Sequence, residues 1–165
     1  LDIGADIGSS ALFFLMNGAS FVYLVEINDE YKKIYESLKS KYPILKKSKI
    51  IEKNEIKNLD FDVLKMDCEG CELTMLTENL IKKPYEFVIG LHKPPLDNYQ
   101  FEQKKKLIEK YDGEYYGNVN NEEFVFILTE YMYHSPNISG TVKTKQKNIH
   151  DDDFEAWRYT PAFVH

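Results

Sequence analysis

Short apolar runs bounded by turn residues alternate with longer stretches of helical period along most of the chain, the pattern of a parallel sheet with crossover helices. Residues 1–4 read as the second half of a strand already in progress, so the chain is expected to begin within a domain. Residues 9–17 are apolar on nearly every face, with Ser9 or Ser10 as cap and Gly18 as stop, which predicts a buried helix. The aromatic and β-branched run at 21–25 predicts the second strand, and Asn28 caps the helix after it. There Tyr31, Ile34, Tyr35, Leu38 and Tyr42 fall at helical spacing, Lys32, Lys33, Glu36 and Lys39 take the wet face, and Pro43 follows the end.

Strands are predicted next at 49–52, 61–66 and 86–91, with helices at 72–81 and 101–111. The rhythm then changes. Runs at 114–119 and 122–131 are separated only by Asn120-Asn121, a hairpin spacing, so these last strands are expected to be antiparallel. From residue 132 the pattern dissolves into a polar, lysine-rich segment that closes with Asp151, Asp152 and Asp153 ahead of Phe154, Ala156 and Trp157, which predicts one short capped helix. This divides the chain into a domain at 1–131 and a C-terminal extension at 132–165.

The 165 residues carry 21 basic and 27 acidic side chains, a net charge of −6, with 43% apolar residues, which fits one soluble domain. No run approaches the roughly 18 apolar residues of a membrane helix, so no membrane partner is expected. The scattered lysines and acidic balance argue against nucleic acid, whose phosphates call for a basic face. Two cysteines, Cys68 and Cys71, cannot supply a disulfide framework, which points to a reducing compartment and a cytoplasmic location.

The candidate cofactor site is the turn between the first strand and the first helix, Gly4-Ala5-Asp6-Ile7-Gly8-Ser9. Gly4 permits a sharp bend and Gly8 a close approach, as in dinucleotide folds, but Asp6 replaces the middle glycine of GxGxxG. Carboxylates at Asp2 and Asp6 repel a pyrophosphate and suit a cationic ligand such as S-adenosylmethionine. Glu26, at the tip of the second strand with Ile27 beside it, can accept hydrogen bonds from both ribose hydroxyls, which NAD would need as well. Asn54 or Glu55, past the third strand, sits where an adenine amino group is commonly read. The plainer account is that Glu26 begins a loop and Asp2 caps one.

A reversed final strand separates the two cofactors, because the mirrored halves of an NAD-binding sheet have no reason to end that way. At this point the sequence resembles the class I S-adenosylmethionine-dependent methyltransferases over residues 1 to about 131. The resemblance implies an α/β three-layer sandwich around a mostly parallel, Rossmann-like seven-stranded sheet, order 3-2-1-4-5-7-6, and methyl transfer. The segment Lys65-Met66-Asp67-Cys68-Glu69-Gly70-Cys71-Glu72 looks like the KxDxEGxE segment of the FkbM-type members.

If the fourth strand persists, Lys65, Asp67 and Glu69 project to one side at its carboxyl end; the alternative is a Lys65–Asp67 ion pair closing the strand. His92, past the fifth strand, is the first candidate general base because its ordinary pKa is near neutrality, and Asp67 is the second. Asp67 and Glu69 alone do not make a metal site, and none is expected. Cys68 and Cys71 read as two small half-buried residues rather than a redox or zinc motif. Asn137-Ile138-Ser139 is discounted as a glycosylation acceptor, and His150 with the aspartates after it as a metal site. Phe154, Trp157, Tyr159 and Phe163 are expected to pack on the domain or on a partner chain, which would make a homo-oligomer through the extension.

The resemblance implies a small hydroxylated acceptor such as a sugar. The alternatives are a catalytically silent cofactor-binding module, a methyltransferase acting on RNA, and a nucleotide-dependent oxidoreductase.

Overall fold

The computed structural model describes residues 1–94, 98–119 and 123–129. The apolar runs form seven strands: β1 (Asp2–Ile3), β2 (Val22–Val25), β3 (Ser48–Ile50), β4 (Val63–Met66), β5 (Glu86–His92), β6 (Glu114–Val119) and β7 (Glu123–Thr129). Their order is β3-β2-β1-β4-β5-β7-β6, as expected. β1 to β5 pair in parallel, and β7 runs antiparallel to both β5 and β6. The helices are α1 (Ser9–Met16), α2 (Asp29–Lys41), α3 (Glu72–Met75), α4 (Glu78–Ile81) and α5 (Asn98–Lys110), with 3-10 turns at Pro43–Lys47 and Lys53–Asn58.

Alternation along the strands fills two cores, one on each face of the sheet. Val22 and Leu24 join Ala11, Leu12, Leu15, Tyr35 and Leu45 under α1 and α2. Ile3, Val25, Leu64, Met66, Phe87, Ile89 and Leu91 join Leu76, Ile81, Phe101 and Ile108 under α3 to α5. Of the apolar positions on α2 only Tyr35 is buried, since this helix covers the sheet near its edge.

Three local expectations need correction. α1 is capped by Gly8, at φ 91°, with no side-chain cap, because the Ser10 hydroxyl turns inward to Asp2. The helix expected over 72–81 is two short helices, since Thr77 leaves helical geometry and its side chain accepts from the Leu80 amide to start α4. β4 stops at Met66, so the alternation expected to carry through Glu69 does not continue. The Asn120-Asn121 turn, the short helix near Phe154 and the packing of the tail aromatics lie outside the described residues. Among those residues, no helix is long and apolar enough to cross a membrane.

Candidate functional site

The carboxyl edge of β1, β4 and β5 is where ligands bind in sheets of this kind. The loop leaving β1 is shaped by three left-handed residues, Gly4 at φ 77°, Asp6 at 51° and Gly8 at 91°. A Cβ on Gly4 would lie 1.9 Å from the Asp67 carbonyl oxygen, and one on Gly8 2.5 Å from the Tyr35 ring. Glycine at position 4 therefore lets the exits of β1 and β4 share a wall. Glu26, half-buried past the end of β2, accepts from the amides of Asp6 at 2.8 Å and Asn28 at 2.7 Å, tying the two loops together. Ile27 beside it is 88% exposed.

Asp2 lies beneath this loop and is completely buried. It accepts from the Ser10 hydroxyl at 2.6 Å, and the Lys65 ammonium stands 3.2 Å from its other oxygen. Lys65 also donates to the Gly4 carbonyl at 2.7 Å. Lys65 thus pairs with Asp2 rather than with Asp67, the partner in the alternative reading, because β1 and β4 pair with Asp2 opposite Lys65. Asp2 and Lys65, both expected at the ligand, pair with each other beneath the loop. Ala5 is buried, while Asp6 and Ser9 face solvent. Asn54 and Glu55 are exposed on the 3-10 turn after β3, and Glu55 accepts from the Glu52 amide at 2.7 Å to cap that turn.

The turn after β4 is organised by Glu72, which is fully buried. Its carboxylate accepts from the Cys68 amide at 2.6 Å and the Gly70 amide at 2.8 Å, and Oε1 stands 3.3 Å from Nδ1 of His92. On its other side, His92 Nε2 is 3.3 Å from Glu69 and 3.9 Å from Asp67. Glu123 completes this cup. Because β7 is reversed, its first residue pairs with His92 at the end of β5. A Cβ on Gly90 would lie 2.6 Å from the Glu123 carboxylate and 3.4 Å from that of Asp67, so glycine in mid-strand makes room for both.

The His92 imidazole is pushed up to about 9, first by its hydrogen bond to Glu72, against burial, and then by the charges of Glu72, Glu69 and Glu123. At neutral pH it is an imidazolium that donates from both nitrogens. The ordinary near-neutral value that made it the first candidate base is thus raised by its surroundings. Asp67, His92 and Glu123 each bring a potential ligand atom within 4.8 Å of the others. Protonated, His92 closes the set as an imidazolium over an anionic cup, and a metal ion would have to displace that proton to use its ring nitrogen.

The cysteines also depart from expectation: Cys68 and Cys71 are joined in a disulfide around Glu69-Gly70. The reading of Cys68 and Cys71 as two separate small half-buried residues is corrected by this bond. The residues missed in the sequence are Glu72, as organiser, and Glu123. The second was within reach, since a reversed strand pairing with β5 must begin where β5 ends.

No family model matches the chain. Among solved structures it is similar to the cofactor-bound Rv0187 from MTB, with a TM-score of 0.61 at 11% identity, covering 78% of this chain and 71% of that one. It is similar also to a putative O-methyltransferase from Klebsiella pneumoniae, with a TM-score of 0.58 at 10% identity and the same coverage. The shared feature is the Rossmann-like methyltransferase fold with its reversed last strand. In sequence, the chain is 33% identical over 90 residues to uncharacterized protein 65 of Sulfolobus islandicus filamentous virus (isolate Iceland/Hveragerdi), covering 54% of this chain and 56% of the relative. It thus spans about half the length of that protein. It is 34% identical over 137 residues to uncharacterized protein 158B of Sulfolobus islandicus rod-shaped virus 1, covering 75% of this chain and 77% of the relative. The extent of that match puts the chain in the same family as the rod-shaped virus protein 158B.

Proposed function

We propose that this protein is an S-adenosylmethionine-dependent methyltransferase that methylates an oxygen nucleophile on a small hydroxylated acceptor such as a sugar. The observation that carries the reading is the wall shared by the glycine loop and the acidic cup, where Gly4 meets the Asp67 carbonyl. The similarity to a putative O-methyltransferase and to a cofactor-bound relative in fold supports it, as does the KxDxEGxE segment, which favours the FkbM-type assignment.

The residues fit the cofactor. Gly4 and Gly8 let the loop pack directly against the Asp67 backbone and the Tyr35 ring, no basic side chain stands in the Gly4–Gly8 loop for a pyrophosphate, and Glu26 lies at the tip of β2 for a ribose. Ile27 offers an apolar surface to a purine, and Asn54 is the better of its pair to read the base, since Glu55 already holds the Glu52 amide. Bound there, S-adenosylmethionine supplies a methyl group activated by a sulfonium.

His92, charged at neutral pH, positions: it is fixed by Glu72 and steadies the anion that forms beside it. Asp67, with its carboxylate 37% exposed, accepts the hydroxyl proton of the acceptor. Lys65 and Asp2 keep the loop in shape from below.

The test is calorimetric titration with S-adenosylhomocysteine beside NAD, followed by labelled-methyl incorporation into a panel of hydroxylated acceptors. Binding of S-adenosylhomocysteine alone, with incorporation, supports the reading. Preference for NAD overturns it, and cofactor binding without incorporation into any acceptor replaces it with a silent binding module.

A further inference from the structure

The turn at the heart of the cup is closed by a bond that chemistry can open. Cys68 and Cys71 enclose only Glu69 and Gly70, and both enclosed residues are left-handed, at φ 55° and 106°. For a residue with a side chain such as Glu69 that conformation is strained, so it persists only where its surroundings over-determine it. Two constraints do so. From inside, the Glu72 carboxylate holds the amides of Cys68 and Gly70. From outside, the disulfide closes the ring. The carboxylate this turn presents is that of Glu69, 85% exposed and 3.3 Å from His92.

We propose that the Cys68–Cys71 disulfide is a redox latch on the acidic cup: closed, it holds Glu69 against His92 and the turn in working order, and opened by a dithiol, it lets both go. The effect on turnover rests on the methyltransferase reading; the effect on the turn does not. In the opening step a thiolate of the reductant attacks one cysteine sulfur, the S–S bond breaks, and the other cysteine leaves as a thiolate that takes up a proton. The second reductant thiolate then displaces the mixed disulfide. The dithiol ends as a disulfide, having given up two electrons and two protons, and the protein ends with two thiols. Both cysteines are half-buried, within reach of a small reductant.

These are the only two cysteines of the 165 residues, so the thiol count reports the latch alone. The experiment compares the full chain, purified without reductant, before and after dithiothreitol. Readouts are thiol titration in denaturant, hydrogen exchange at the Cys68 and Gly70 amides, and methyl transfer. Expected are no thiols before and two after, exchange at both amides at least tenfold faster, and turnover lower by at least about tenfold, the scale on which misplaced groups act. The variant Cys68→Ser/Cys71→Ser should match the reduced protein and ignore dithiothreitol. Two thiols in the untreated protein, or identical amide exchange in the two states, overturns the proposal. If no acceptor is ever methylated, the methyltransferase reading fails while amide exchange still decides the latch; should the serine variant not fold, the wild-type pair of states suffices.

Discussion

Replacing Glu72 with Gln tests the electrostatic core of the site. The carboxylate is fully buried, accepts two backbone amides at 2.6 and 2.8 Å, and stands 3.3 Å from His92. It is the largest cause of the His92 pKa rising from 6.5 to about 9. At 1.36 kcal/mol per pH unit that rise corresponds to about 3 kcal/mol, and solvent screening at the exposed Glu69 side reduces it to about 2 kcal/mol. The folded-state pKa is raised, so this stabilisation is fully present below the unfolded value of about 6.5 and is lost as pH climbs through about 9. Glu72→Gln should therefore lower the His92 pKa by at least about one unit. It should also flatten the fall in stability between pH 6 and 9.5 by about 1.4 kcal/mol, the equivalent of that one unit, on top of a pH-independent loss from the weakened turn. Imidazole NMR titration, with the four histidines separated by a His92→Gln control, reads the first, and urea unfolding at the two pH values reads the second. A wild-type His92 that titrates near 6.5, or one that Glu72→Gln leaves unmoved, would refute the reasoning.

Gly4→Ala should cost at least about 3 kcal/mol in urea unfolding, since its Cβ meets backbone at 1.9 Å and its φ is 77°. Gly70→Ala, left-handed but with nothing within 4 Å, should cost only about 1 kcal/mol; equal costs would mean that the shared wall between β1 and β4 is misjudged. Asp2→Ala strands the Lys65 charge and should destabilise by about 3 kcal/mol, most of it recovered when Lys65→Met is added; simple additivity in the double-mutant cycle would deny the pair. Glu26→Gln leaves one of the Asp6 and Asn28 amides without its acceptor and should weaken S-adenosylhomocysteine binding by about 1–2 kcal/mol in calorimetry, whereas unchanged affinity would separate Glu26 from the cofactor.

The strands and the reversal of the last one were legible because they rest on period and punctuation, whereas the order of the sheet was what the resemblance to the class I methyltransferases implied. Short apolar runs rich in β-branched and aromatic residues between turn signals read as strands, and a two-residue gap at Asn120-Asn121 reads as a hairpin. Asn28 as cap and Gly18 as stop were legible for the same reason, since capping is a contact between near neighbours. The break at Thr77 was not, because Leu76 is drawn into the core and the helix must restart beyond it.

The residue types of the site, with their position at strand ends, were set by the sequence alone: a glycine turn, acids at Asp2, Asp6 and Glu26, and a charged segment from Lys65 to Glu72. Their partners were decided only by the tertiary structure. Whether Lys65 meets Asp67 or Asp2 depends on the register of β1 against β4, and Glu123 reaches His92 only because a reversed strand brings its start to the end of β5. The charge on His92 depends on the same assembly. A pKa follows the desolvation and charge within a few ångströms in space, and the groups that raise this one come from the turn after β4, α3 and β7, up to 31 residues away along the chain.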